Sequence, residues 1–285
     1  MFPVRTLTLA IALTIGCGGD EPAAPPATDQ PAKAKAKAKG AEAPPLQLDK
    51  DSLKSDDDIG LVPSPRETQK ALEAAGIDTQ LADLMEDRKL DVRNKDLDNA
   101  AVRTGVIIAD LLLTVKTAEK KSLLDMLGKI KVGMQQLQGG ADIIKTIDDL
   151  TERVKADAVS REALLKELDE LSGAVIPELE FNNQDRVVPL IQAGSWLEGA
   201  NLVAKAVKAS GTPEAADNLL KQPAVVDYFI RYVKGEGQDK APAAVTAKLE
   251  ESLMILKGLA SKKEPFTNAD IDKVIQTTND VLALL

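Results

Sequence analysis

From position 64 onward the apolar residues recur at alternating spacings of three and four. Leu123, Leu127, Ile130, Met134 and Leu137 form one such series, and Ile143, Ile147, Leu150 and Val154 another. This is the repeat of one buried helix face. No stretch shows the period-two alternation of β-branched and polar residues that a half-buried strand requires. The pattern predicts an all-α fold over 64–285, a multi-helix bundle of antiparallel helical hairpins joined by short connections.

Start and stop signals place the individual helices. Ser64, Pro65 and Glu67 combine a capping box with proline at the first helical position, and Gly76 stands where a C-terminal cap belongs, so a first helix covers 65–75. A short helix follows at 80–86. A long one at 96–117 presents Leu97, Ala101, Ile108, Leu112 and Val115 on one face, and the Leu123 series ends at Gly139-Gly140. Further helices are predicted at 141–155, 160–171, 183–209 with a kink at Pro189, 213–221, 223–234, 242–261 and 268–285. Thr212 before Pro213, and Thr267 with Asp270, are read as N-terminal caps. Residues 235–239, Gly-Glu-Gly-Gln-Asp, read as a flexible break.

The N-terminal part follows a different pattern. Arg5 precedes a short apolar run from Leu7 to Ile15, about half of what a bilayer-spanning helix needs. Leu13-Thr14-Ile15-Gly16-Cys17 closes it, and Cys17 is the one cysteine of the chain. This segment resembles the lipobox of bacterial lipoproteins, with Thr14 where the pattern has leucine. The resemblance covers the leader alone. It implies a signal peptide at 1–16, a lipidated Cys17, and a membrane anchor supplied by acyl chains. Gly18, not aspartate, follows the cysteine, which in such lipoproteins implies delivery to the outer membrane, facing the periplasm. Residues 17–63 then read as a tether. The stretch 21–45 is almost entirely Ala, Pro, Lys, Glu and Gly, including the Ala-Lys alternation of 32–39, and offers no side chain to build a core. Asp56-Asp57-Asp58 lacks the alternation and glycine of a calcium loop and reads as a solvated turn.

Composition narrows the chemistry. The net charge of −9 repels phosphate backbones, so no nucleic-acid partner is expected. Outside the leader the aromatics are Phe181, Trp196, Tyr228, Phe229, Tyr232 and Phe266, too scattered for a stacking platform for bases or sugars. There is no histidine, which removes the commonest general base and metal ligand, and no cysteine follows position 17. No catalytic residue, cofactor or metal is therefore expected in the helical domain.

Two carboxylates stand out. Asp110 and Glu198 lie in the most apolar helices, where a carboxylate must pair with a cation, accept hydrogen bonds or keep its proton. Arg103, Arg186 and helix N-termini are the partners considered, and an exposed rim position is the alternative. The segments around them echo each other: 103–111 and 192–200 each place a glycine (Gly105, Gly194), apolar residues, and a carboxylate four or five positions on. Duplication of a helical hairpin and chance similarity of two buried helices both account for this. Gly105, Gly194 and Gly199 are read as points of close helix approach. Glu251-Ser252 resembles the Glu-Ser pair that places the catalytic acid in lytic transglycosylases, although no Gly-Leu-Met-Gln segment follows and sugar-binding aromatics are lacking. The expectation is a lipid-anchored envelope protein with a binding or structural role. Its partners would be the membrane, through Cys17, and an envelope protein. A peptidoglycan hydrolase and a small-ligand carrier are the alternatives.

Overall fold

The first helix begins at the predicted capping signal. In the computed structural model, which describes residues 62–77, 80–86, 88–93, 96–235 and 243–284, the Ser64 hydroxyl accepts from the Glu67 amide (3.2 Å) and the Glu67 carboxylate accepts from the Ser64 amide (2.7 Å). The expected signal peptide, Cys17 and the expected tether up to residue 61 lie outside the described residues, as do residues 236–242. Every regular element among those described is helical: α1 (Pro65–Ala74), α2 (Leu81–Leu84), α3 (Leu97–Thr114), α4 (Lys120–Gln136), α5 (Ala141–Lys155), α6 (Arg161–Phe181), α7 (Val188–Ser210), α8 (Ala216–Leu220), α9 (Pro223–Gly235), α10 (Ala243–Ala260) and α11 (Asn268–Leu282), with single 3-10 turns before α7 and α8.

Two apolar clusters form the core. One gathers α3 to α6 with the start of α7, and the other gathers α1, α2 and α7 to α11 with Val106, Ala109 and Leu113 of α3. Cross-helix ion pairs fix the antiparallel hairpins: Lys131–Asp148 joins α4 to α5 and Arg153–Glu167 joins α5 to α6. Lys257–Asp227 joins α10 to α9, and Lys208–Asp272 joins α7 to α11. The two clusters meet along α3 and α7. These helices run in the same direction, since Asp98 pairs with Arg186 near their starts and Asp110 meets Glu198 further along.

Both helices of this central pair are wrapped on nearly all sides. Residues Thr104 to Ala109 of α3 are all buried, as are Trp196 to Gly199 and Asn201 to Ala204 of α7. The single stripe expected on α3 is thus only part of its buried surface, as befits a helix at the centre of a domain. The glycines make the contact close and reciprocal. A Cβ on Gly105 would lie 2.0 Å from the Ile191 carbonyl oxygen, and one on Gly194 would lie 2.0 Å from that of Val102. Gly199 does not share this role, because a Cβ there would meet nothing within 4 Å.

Other boundaries differ from the sequence reading for identifiable reasons. The sixth helix runs ten residues past Leu171 and contains Pro177. Its buried face continues through Leu171, Val175 and Leu179, so packing holds a segment that Ser172, Gly173 and Pro177 weaken locally. Pro189 does not kink α7 but occupies its first turn, where a missing N–H has no helical partner to lose. Thr212 makes no side-chain cap, and a 3-10 turn at Pro213–Ala215 leads into α8.

The predicted cap on the last helix is present. The Thr267 hydroxyl accepts from the Asp270 amide (3.3 Å), while Asp270 accepts from Thr267 and from Lys262 Nζ (2.7 Å). The Lys262 and Thr267 donors hold the Asp270 carboxyl down at about 2. Thr267→Ala removes the cap and is expected to lower stability by about 1 kcal/mol. A lower urea midpoint at unchanged slope would register this loss.

Candidate functional site

Glu198 sits in the middle of α7 with none of its surface exposed to solvent. Its cation is Arg88, from the irregular segment between α2 and α3, whose Nη1 donates to Glu198 Oε2. The two residues are 110 positions apart. Neither Arg103 nor Arg186 takes this part. The Arg103 guanidinium donates to the Asp91 carbonyl (2.7 Å), and Arg186 pairs with Asp98 (2.6 Å).

The segment carrying Arg88 is held by backbone turns, Arg88 N to Glu86 O (2.8 Å) and Leu90 N to Arg88 O (2.9 Å), and by buried Val92. From there Arg88 Nη2 reaches Asn279 Oδ1 on α11 (3.0 Å) and Asn201 Oδ1 on α7 (3.4 Å). Asn201 Nδ2 in turn donates to Thr278 Oγ1 and Asn279 Oδ1, both at 2.8 Å. Glu86 closes the ring by accepting from Lys205 (2.8 Å) and Asn279 (2.9 Å). Lys205 and Arg88 hold the Glu86 carboxyl below its ordinary range against a modest effect of burial. One polar network therefore ties the 86–92 segment to α7 and α11.

Asp110 adds a second carboxyl from α3. It lies within hydrogen-bonding reach of Glu198, five residues beyond Gly105 as Glu198 lies four beyond Gly194. The close glycine crossing delivers both groups to one point. The residue keeps some surface open to solvent, but its Oδ1 is sealed, as is Glu198 Oε1, and no protein donor among the described residues reaches either atom. A carboxyl proton is the donor that these two groups lack among the described residues. Burial, and then the Glu198 charge, push the Asp110 carboxyl well above its usual range, against a smaller pull from Arg88 and Lys129. Burial also raises Glu198, opposed mainly by Arg88 and by the hydrogen bond from Asp110.

The structure brings the two sequence-predicted carboxylates together and buries the point where they meet, so the exposed-rim alternative does not hold. It does not assemble Glu251 and Ser252. Glu251 is exposed and paired with Lys248 (3.2 Å), whereas Ser252 is buried in the core of its lobe. Sequence reasoning missed Arg88, Lys205, Asn201, Thr278 and Asn279. Asn201 carried a signal, being a polar residue three positions after Glu198 in the same apolar helix. Arg88 carried none, since its segment has no periodicity.

Two small cavities stand out among the described residues. One lies beside Trp196 and Gln222 between α1, α7 and α8, the other among Ile108, Met134 and Leu168 in the first lobe, and each has a volume of about 20 Å³. That is room for a water molecule. Among the described residues no three carboxylates converge as a metal site, and no helix is long and apolar enough to cross a membrane. No protein-family model, curated protein or solved structure matches the chain.

Proposed function

We propose that the protein is a lipid-anchored helical module of the bacterial cell envelope, facing the periplasm from the outer membrane, with a binding or structural role and no enzymatic one. The observation that supports this reading is how the polar side chains are used. The chemically most distinctive cluster, Arg88, Glu198 and Asp110, is committed to joining helices, with Glu198 fully buried. Glycan cleavage needs two carboxyls flanking an open groove, and Glu251 stands on an outer helix face beside Lys248. A carrier needs a pocket of several hundred Å³, against the cavities of about 20 Å³ found here. Such a module acts through its surface, on a protein partner in the envelope.

The anchor rests on the lipobox-like segment ending at Cys17. Cys17→Ser removes the acceptor of the acyl chains, which on this reading supply all of the membrane affinity. The variant is expected in the soluble periplasmic fraction or as an unprocessed precursor when membranes are fractionated. A Cys17→Ser protein that matures and stays with the membrane like wild type overturns the lipoprotein reading. Crosslinking in intact envelopes, followed by capture, identifies the partner.

A further inference from the structure

Asp110 and Glu198 meet between α3 and α7, the two helices that both core clusters share and, among the described residues, the one pair with reciprocal glycine contacts. We propose that a proton held between Asp110 and Glu198 is a lock on the crossing of α3 and α7, closed while the proton is present and loosened when it leaves. Three features of the structure support this.

The first is the arrangement of charge. The groups facing the pair are Arg88 and Glu86 from the segment after α2, Lys205 on α7 and, farther off, Lys129 on α4. Glu86 engages Lys205 and stands 3.6 Å from Arg88, and Arg88 is bound to Glu198. The two nearest cations are thus already matched by two carboxylates, Glu86 and Glu198. An ionised Asp110 is a third negative charge without a cation of its own.

The second is accessibility. Glu198 has no route to solvent, but Asp110 keeps part of its surface open. Its proton can exchange with bulk water without the domain unfolding. Once ionised, the Asp110 carboxylate is repelled by Glu198, and the hydrogen bond between them is lost.

The third is the lack of slack. Because the helix backbones touch at Gly105 and Gly194, the two carboxyls cannot be separated by a small adjustment of the crossing. Repulsion is instead relieved by opening the crossing and the 88–93 segment that covers it.

The sign of the pH dependence follows. The folded chain retains a proton that the unfolded chain releases near pH 4, the ordinary aspartate value. Stability contributed by the pair is complete below that value, declines as the pH rises, and levels off above the raised folded value. Each unit by which folding raises the Asp110 pKa lowers the folding equilibrium about tenfold across this window.

The test uses the full chain. Infrared spectra of wild type are expected to show the carbonyl stretch of a protonated carboxyl at a pH where ordinary carboxyls are ionised, with the band absent in Asp110→Asn. Amide exchange, corrected for its intrinsic pH dependence, is expected to speed up in 88–93 and 104–113 as that band titrates away. Asp110→Asn, which keeps a donor to Glu198 but cannot ionise, should hold these amides at their slow rate throughout. A wild-type band that titrates with no change in exchange overturns the proposal, as does a variant with the wild-type pH response. If the variant does not fold, the wild-type comparison of band and exchange still decides.

Discussion

Gly105→Ala is expected to destabilise the protein by about 3 kcal/mol, the upper end of the usual range for overpacking, and Gly194→Ala by a similar amount. The reason is the nature of the obstacle. The added methyl would lie 2.0 Å from a backbone carbonyl of the opposite helix, and a carbonyl inside a helix cannot move without the helix. Either substitution must therefore push α3 and α7 apart along their length and open voids in both lobes. For a domain of this size the loss corresponds to a fall of roughly 6 to 12 °C in thermal midpoint. Gly128→Ala in α4 is the control, because its Cβ would meet nothing within 4 Å. That change is expected to stabilise slightly, by about 0.5 to 1 kcal/mol, through helix propensity alone. Equal effects at Gly105 and Gly128 would show that the close crossing is not what the glycines provide.

Glu198→Ala is expected to cost about 3 to 5 kcal/mol, measured by denaturant titration, because it strands the Arg88 guanidinium beneath the surface without its counterion. Arg88 keeps 14% of its side chain exposed, too little for water to replace the carboxylate. The loss reflects an unpaired charge and not a large net contribution of the pair. The double variant Arg88→Met with Glu198→Leu is therefore expected to recover most of the stability, since an apolar pair of similar volume leaves no charge behind. Removing an exposed pair such as Lys116–Glu73 is expected to change stability by less than about 1 kcal/mol. A double variant no better than Glu198→Ala would mean that the network, including Asn201 and Asn279, acts through geometry that apolar side chains cannot reproduce.

Helices whose burial is one-sided were legible in the sequence. The fifth helix has its buried stripe and both ends where the spacing of Ile143, Ile147, Leu150 and Val154 places them, because a single apolar face leaves the periodic signal intact. In α3 and α7 neighbours cover almost the whole circumference, and periodicity reports only a fraction of the buried set. The sixth helix was cut short for the opposite reason: Ser172, Gly173 and Pro177 are poor helix residues held in place by tertiary contacts. At the candidate site the anomalies were legible and their partners were not. A charge in an apolar helix is visible from the residues beside it. That Asp110 meets Glu198, and that Arg88 and not Arg103 supplies the cation, depends on how distant segments pack. Local spacing holds no record of this.

The 110 residues between Arg88 and Glu198 also set an order of events in folding. The hairpins from α3 to α6 join neighbours in the chain and involve short loop closures, which are fast. Their central helix, α3, then waits for α7 with its glycine face and Asp110 uncovered. Only after α7 and α11 have docked can the 86–92 segment fold back and place Arg88. The polar contacts of Arg88 thus wait for partners made 110 to 191 residues later. Until that closure the nascent chain carries an exposed apolar seam, the kind of surface that chaperones bind and that aggregation exploits.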